Sequence, residues 1–165
     1  MIQTPFFLYY GTMIGKRTLL AIVGLLFASF FVVSQDGPDV AVYPPQAIII
    51  ASYRGDDLMV SQILSTNVDK DARDALGATA LHAAMYQPNL KVVKLLLDYG
   101  FDPNARDTAH GYTPLHLAVI ANNPAAAQLL MQYKADTGIK GLDGLTPLAK
   151  AREGEKKAMV SVLTR

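Results

Sequence analysis

Apolar residues are distributed along this chain in two different patterns. Residues 18–33 (TLLAIVGLLFASFFVV) form a continuous apolar run without a charged residue. From residue 47 onward, short apolar runs alternate with polar stretches that contain glycine, proline and aspartate. In residues 90–100 (LKVVKLLLDYG) the apolar positions follow the spacing of one helix face. The pattern predicts a hydrophobic N-terminal helix followed by a series of short amphipathic helices.

The second region repeats itself. Residues 79–84 (TALHAA) recur at 113–118 (TPLHLA) and at 146–151 (TPLAKA), which are offsets of 34 and 33 residues. A glycine stands two residues before each copy, at Gly77, Gly111 and Gly144. A fixed period of this length is the signature of a stack of similar structural units.

The second half of each unit recurs as well. Residues 90–100 have a counterpart at 125–134, and 102–107 (DPNARD) match 69–74 (DKDARD). Residues 47–53 and 58–65 form a degenerate first copy. Each unit is therefore predicted to hold two helices and a polar connection, and stacked neighbours are needed to cover the apolar faces.

Single residues support the predicted helix boundaries. Thr113 is a suitable N-cap, and Pro114 suits the first helical position because its missing amide would have had no partner. Gly100 is expected to end a second helix in the left-handed conformation. Asn67 and Lys134 occupy the matching places, and Lys134 should cost about 1 kcal/mol there and alter the helix end.

The G-x-T-P-L-H-x-A core, the LLL-x-x-G ending and the D-x-N-A-R-D segment together resemble the ankyrin-repeat family. The resemblance covers about residues 44–165, in repeats at about 44–76, 77–110, 111–143 and a truncated 144–165. It implies an all-α solenoid of stacked helix–turn–helix units with β-hairpin-like connections. It also implies a non-enzymatic protein that binds another protein of unspecified identity.

The N-terminal apolar run carries its own prediction. Lys16 and Arg17 precede it, and Asp36 and Asp39 follow it. This layout is typical of a secretory signal, and a single-span membrane anchor or a buried core helix is the alternative. Residues 1–34 are therefore predicted to be a signal peptide or anchor, and 35–43 a linker. The start could be Met1 or Met13.

The position of the basic pair also predicts where the repeats lie. Positive residues before an apolar segment favour keeping that end in the cytoplasm, which sends the rest of the chain out. The expected location is periplasmic, or anchored in the inner membrane of a bacterium with the repeats outside the cytoplasm. The segment would contact the membrane if it is not cleaved.

Composition excludes several function classes. Fifteen basic and 14 acidic residues give a net charge of +1, which argues against a nucleic-acid partner. There is no cysteine, and no phosphate-loop or nucleophile-elbow motif occurs. His82 and His116 hold equivalent places in adjacent repeats, so they should lie roughly 8–10 Å apart, too far to share a metal ion. A structural role is predicted for both, and no cofactor, metal or catalytic residue is expected.

The resemblance implies that connection tips and the exposed face of each first helix contact the partner. By position, Asp74, Ile120 and residues 106–112 and 140–143 belong to this surface. The main candidates are Tyr53, Arg54, Arg73, Tyr86, Gln87, Arg106, His110, Tyr112 and Asn122. The predicted function is an adaptor or scaffold in the cell envelope. A secreted effector or immunity-type binding protein, and an enzyme with an unrecognised site, are the alternatives.

Overall fold

The computed structural model describes residues 43–164, and its regular structure is helical. The helices are α1 (Ala47–Arg54), α2 (Asp57–Leu64), α3 (Ala80–Ala84), α4 (Leu90–Tyr99), α5 (Pro114–Ile120), α6 (Pro124–Gln132), α7 (Pro147–Glu153) and α8 (Lys157–Leu163). The all-helical prediction is confirmed for this part of the chain. The connections between repeats are turns, and no strand occurs within residues 43–164.

The predicted N-terminal segment, residues 1–34, and all but the last residue of the predicted linker lie outside the described residues. Within residues 43–164, none of the helices has both the length and the apolar character that a bilayer crossing requires.

The helices form two layers. The first helices of the repeats contact one another in the order α1, α3, α5, α7, and the second helices do so in the order α2, α4, α6, α8. A single core runs between the layers. Leu81, Ala84, Leu115 and Ala118 are fully buried in it. The small alanine side chains let neighbouring first helices approach closely.

The helix starts follow the predicted signals. Thr79, Thr113 and Thr146 are the N-caps of α3, α5 and α7, and each has extended backbone angles. Pro114 and Pro147 occupy the first turn of their helices. Threonine and proline at these positions set the start of three first helices in the same way, so the repeats begin in register.

The helix ends follow the predictions only in part. Gly100 has φ 94° and Lys134 has φ 64°, so both are left-handed as predicted. The end of α6 is also differently shaped, because its cap is Tyr133 with φ −95°. The prediction for Asn67 is wrong, since that residue is not among those with positive φ. Here α2 ends at Ser65 with φ −74°, and no left-handed residue is needed.

The start of the second helix is tied to the preceding repeat in the second, third and fourth repeats. Asn89 and Asn123, the N-caps of α4 and α6, donate through Nδ2 to backbone carbonyls just after the preceding first helices, at 3.2 and 3.1 Å. The last repeat has Lys156 at this place. Its Nζ donates to the carbonyls of Val119 and Ile120, both at 2.7 Å, at the C-terminal end of α5. A positive charge is favourable there because the C-terminal end of a helix is partly negative.

Lys156→Met is expected to lower the free energy of unfolding by about 1–2 kcal/mol. The methionine keeps the apolar stem but removes the ammonium group, which leaves two carbonyls without their charged donor. The measurement is urea denaturation followed by circular dichroism. Lys157→Met, at the exposed neighbouring position, is the matched control and should change the midpoint little. Equal effects of the two substitutions would contradict this role of Lys156.

Candidate protein-binding site

A groove of about 720 Å³ lies along the face formed by the first helices and the tips of the connections. It is called the central groove below. Three repeats contribute to its walls. Its lining residues are Ile49, Ile50, Tyr53, Asp74, Leu76, Ala78, His82, Ala83, Tyr86, Asp107, Ala109, His110, Tyr112, Leu117 and Ile120.

Exposed apolar and aromatic side chains converge on this groove. Tyr53 is 60% exposed, Tyr86 is 51% exposed and Leu76 is 60% exposed. Ile50 and Ile120 are exposed as well. The rings of Tyr53 and Tyr86 lie with their centroids 6.3 Å apart. Contiguous exposed apolar surface of this kind is typical of a binding surface for another molecule.

Two aspartates lie at the connection tips that border the groove. Asp74 Oδ1 accepts hydrogen bonds from the backbone N–H groups of Leu76 and Ala78, both at 2.8 Å. Asp107 Oδ1 accepts from the N–H groups of His110 and Tyr112, at 2.7 and 3.3 Å. Each aspartate therefore shapes its own connection with one oxygen, as turn aspartates commonly do.

One wall of the groove ends in a stack of rings. Tyr112 lies between His110 and His116, with ring centroids 5.2 Å from each and interplanar angles of 16° and 12°. The Tyr112 hydroxyl donates to Asp143 Oδ2 at 2.7 Å, and Lys150 Nζ lies 4.8 Å from the ring centroid. The Lys150 ammonium, with the Tyr112 hydroxyl, holds the pKa of Asp143 well below its usual range. Tyr112 is thus held in one orientation.

The two motif histidines join adjacent repeats. His82 Nδ1 accepts from the backbone N–H of Thr79 at 3.1 Å, so Nε2 carries the proton and donates to the carbonyl of Tyr112 at 3.0 Å. His116 makes the same pair of hydrogen bonds one repeat later, at 3.2 and 3.1 Å. The predicted structural role of both histidines is confirmed by these contacts. Within residues 43–164, no three His, Cys, Asp or Glu residues are grouped so as to hold a metal ion.

Stability is expected to fall when the pH drops from 7.5 to 5.5. Burial lowers the pKa of His82 and of His116 from the ordinary 6.5. Below about pH 6.5 the unfolded chain therefore binds protons that the folded chain does not, which favours unfolding. This loss of unfolding free energy is complete once the pH has fallen below the pKa values that the two histidines have in the folded protein.

Urea midpoints measured across this range provide the test. A midpoint that does not vary between pH 7.5 and 5.5 would contradict the burial of two neutral histidines.

The structure places the candidate binding residues in three groups. Tyr53, Tyr86, His110 and Tyr112 line the central groove together. Arg54 and Asn122 are exposed but do not line it.

Arg73, Arg106 and Gln87 instead hold repeats together. Arg73 Nη1 donates to the carbonyl of Arg106 at 2.9 Å, and Arg106 Nη2 donates to the carbonyl of Lys140 at 3.0 Å. Gln87 Nε2 donates to the carbonyl of Tyr53 at 2.5 Å. These donors connect residues 33 or 34 positions apart, which is one repeat.

Sequence reasoning missed two large exposed residues of the groove, Ile50 and Leu76. Ile50 ends an isoleucine run of which Ile48 and Ile49 are buried, so the sequence offered no signal that the third was exposed. Leu76 did carry a signal, because it is a large apolar residue between Asp74 and Gly77 in a turn. An apolar side chain at a turn tip is a hint of a contact surface.

A family model described as ankyrin repeats in three copies matches residues 47–141. The chain belongs to the ankyrin-repeat family. Ankyrin repeats mediate protein–protein interactions, and the family is typically non-catalytic.

Curated relatives share the ankyrin repeats but differ in overall size. The chain is 36% identical over 103 residues to the nuclear factor NF-kappa-B p105 subunit of Gallus gallus, covering 60% of this chain and 10% of that protein. It is 44% identical over 71 residues to protein phosphatase 1 regulatory subunit 27 of Homo sapiens, covering 43% of this chain and 46% of that protein. The Mus musculus protein of the same name is 35% identical over 107 residues, or 64% of this chain and 69% of that protein. The chain therefore spans less than half of the first two relatives.

Proposed function

We propose that this chain is a non-enzymatic adaptor or scaffold that binds a partner protein in its central groove. The observation that carries the proposal is the convergence of exposed side chains from three repeats on one groove, among them the neighbouring rings of Tyr53 and Tyr86. Tyrosines offer a large contact area at a small cost in conformational entropy, which makes them frequent anchors of protein interfaces.

The rigidity of the groove supports a binding role. His82 and Arg73 each donate to a carbonyl of the next repeat, so the repeats that carry the groove are tied to one another. A surface that is ordered before binding loses less entropy when the partner docks. The mouse relative bears the name of a regulatory subunit, which also favours binding over catalysis.

The proposal includes a location outside the cytoplasm, in the cell envelope. It is supported by the basic pair Lys16 and Arg17 directly before an apolar run of residues 18–33. A retained segment would anchor the repeats at the membrane, and a cleaved one would release them.

Affinity capture from the cells that naturally make the protein tests the binding role. The baits are the full chain, its Tyr53→Ala/Tyr86→Ala variant and a Leu58→Ala control, which changes an exposed apolar residue that does not line the groove. We expect the wild type and the control to retain the same partner and the double variant to lose it. Retention of that partner by the double variant, or capture of no protein by the wild type, would overturn the proposal.

Cell fractionation with mass spectrometry of the bait's N-terminus tests the location. Recovery in the envelope is expected, with an N-terminus that shows whether residues 1–34 are kept. A soluble cytoplasmic bait with an intact N-terminus would overturn the export part alone. Recovery from the medium would favour a secreted effector or immunity-type protein over an envelope adaptor.

A further inference from the structure

The charge of the central groove differs from that of the whole chain. The chain has a net charge of +1, whereas the formally charged side chains that line the groove are Asp74 and Asp107. No lysine or arginine of residues 43–164 lines it. Burial keeps His82 neutral at pH 7 by lowering its pKa. The groove is therefore apolar with a negative border.

Each groove aspartate has an oxygen left over for a ligand. Asp74 and Asp107 use Oδ1 for their own connections, and within the described part of the chain Oδ2 of neither accepts a hydrogen bond or pairs with a lysine or arginine. Asp107 is only 8% exposed, yet no side-chain oxygen that is fully buried in residues 43–164 lacks a partner. Its Oδ2 therefore keeps some contact with solvent, and Asp107 is one of the residues that line the groove.

The tyrosine pair lines the same groove as these carboxylates. Burial, and after it the nearby charge of Asp107, raises the pKa of Tyr86. Tyr53 packs against Tyr86, with the two ring planes at 57°. Two aromatic faces next to a carboxylate attract a cation both through the rings and through the charge.

The apolar residues around this point extend the site in both directions. Ile50 lies on α1, Ile120 ends α5, and Leu76 is at the tip of the first connection. These residues would cover the apolar side chains of a ligand. A basic side chain that lies between those apolar side chains in the ligand would then contact the tyrosines. A negatively charged ligand would be repelled by both aspartates.

We propose, building on the protein-binding function above, that the central groove binds a short segment of the partner that carries a lysine or arginine between apolar residues. The basic side chain lies against Tyr53 and Tyr86 with its charge towards Asp107. The apolar neighbours pack on Ile50, Ile120 and Leu76. The negative groove thereby selects basic segments over acidic ones of equal hydrophobicity.

The first test uses a random linear-peptide display library, panned on the full chain immobilised through a C-terminal tag. The expected result is enrichment of peptides with lysine or arginine flanked by apolar residues. Enriched peptides without a basic residue would overturn the inference while leaving the protein-binding function intact. The absence of any enriched sequence would also overturn it, and the capture experiment would then decide the binding function independently.

The second test measures the affinity of an enriched peptide by fluorescence polarisation. Replacing its basic residue by glutamate should weaken binding to the wild-type protein by about a hundredfold, and replacement by glutamine by about tenfold. These measurements need no protein variant. Equal affinities of the three peptides would overturn the inference.

The third test removes the groove charges from the protein. Asp74→Asn/Asp107→Asn keeps an Oδ1 acceptor for each connection, so the fold should persist, and affinity for the basic peptide should fall about tenfold. The affinity for the peptide in which glutamine replaces the basic residue should fall much less. Asp69→Asn/Asp102→Asn is the matched control, because these aspartates accept backbone hydrogen bonds in the same way but do not line the groove. Equal losses in the two double variants would exclude a local role for the groove charges.

Discussion

Gly77→Ala is expected to lower the free energy of unfolding by about 3 kcal/mol, more than a substitution at a turn usually does. Gly77 has φ 73°, a conformation that costs a residue with a Cβ about 1–2 kcal/mol. A Cβ would also lie 2.4 Å from Thr108 Oγ1 and 2.7 Å from the backbone nitrogen of Thr108. Relieving such an overlap in packed structure adds about 1–3 kcal/mol.

The contact that Gly77→Ala would disturb joins Thr108 to Leu76, which lines the central groove. The N–H of Thr108 donates to the carbonyl of Leu76 at 3.0 Å, and its hydroxyl donates to the same carbonyl at 2.9 Å. Pushing Thr108 away would separate the two connections that carry Asp74 and Asp107. Gly77→Ala should therefore weaken partner binding as well as stability.

Gly144→Ala serves as the matched control, because it distinguishes the cost of the left-handed backbone from the cost of steric overlap. Gly144 has φ 77°, but no atom lies within 4 Å of the place that its Cβ would occupy. Its cost should be that of the backbone conformation alone, about 1 kcal/mol. Urea denaturation of both variants gives the comparison, and equal losses would show that the contact between the two connections is dispensable.

His82→Ala is expected to lower the free energy of unfolding by about 3 kcal/mol as well. The substitution leaves the buried N–H of Thr79 without its partner, at about 1–3 kcal/mol for an unsatisfied group. It also removes the hydrogen bond from His82 to the carbonyl of Tyr112, which then accepts from the N–H of Asp107 alone. It also removes a fully buried ring and so opens a cavity.

The loss should spread beyond the second repeat, because His82 joins it to the third. A chain of so few repeats has little stability to spare, and each interface between neighbours contributes to the whole. His110→Ala is the control, since this exposed residue should change stability by less than about 0.5 kcal/mol. Equal midpoints for the two variants, measured by thermal or urea unfolding, would contradict the bridging role.

Much of the candidate site was open to prediction. The resemblance implied that Tyr53 and Tyr86 lie on the exposed face of first helices and that Tyr112 lies at a connection tip, and all three line the groove. Arg73 and Arg106 have the same spacing, yet their donors are used between repeats. A side chain that points to a partner and one that points to the next repeat have the same sequence pattern.

The sequence by itself determined the features that arise within one repeat. The threonine caps, the proline at the helix start and the left-handed Gly100 depend on residues a few positions apart, so their chemistry can be read along the chain. The repeat period determined the number and order of the helices in the same way.

Only the tertiary structure decided which side chains remain exposed and which carry a contact between repeats. The burial of Ile49 beside the exposed Ile50, and the bond of His82 to the carbonyl of Tyr112, depend on neighbouring repeats. Asn67 shows the same limit, because Ser65 already ends α2 in an ordinary helical conformation. Burial and hydrogen-bond partners are set by atoms about one repeat away in sequence, and their positions follow from the packing of the whole stack.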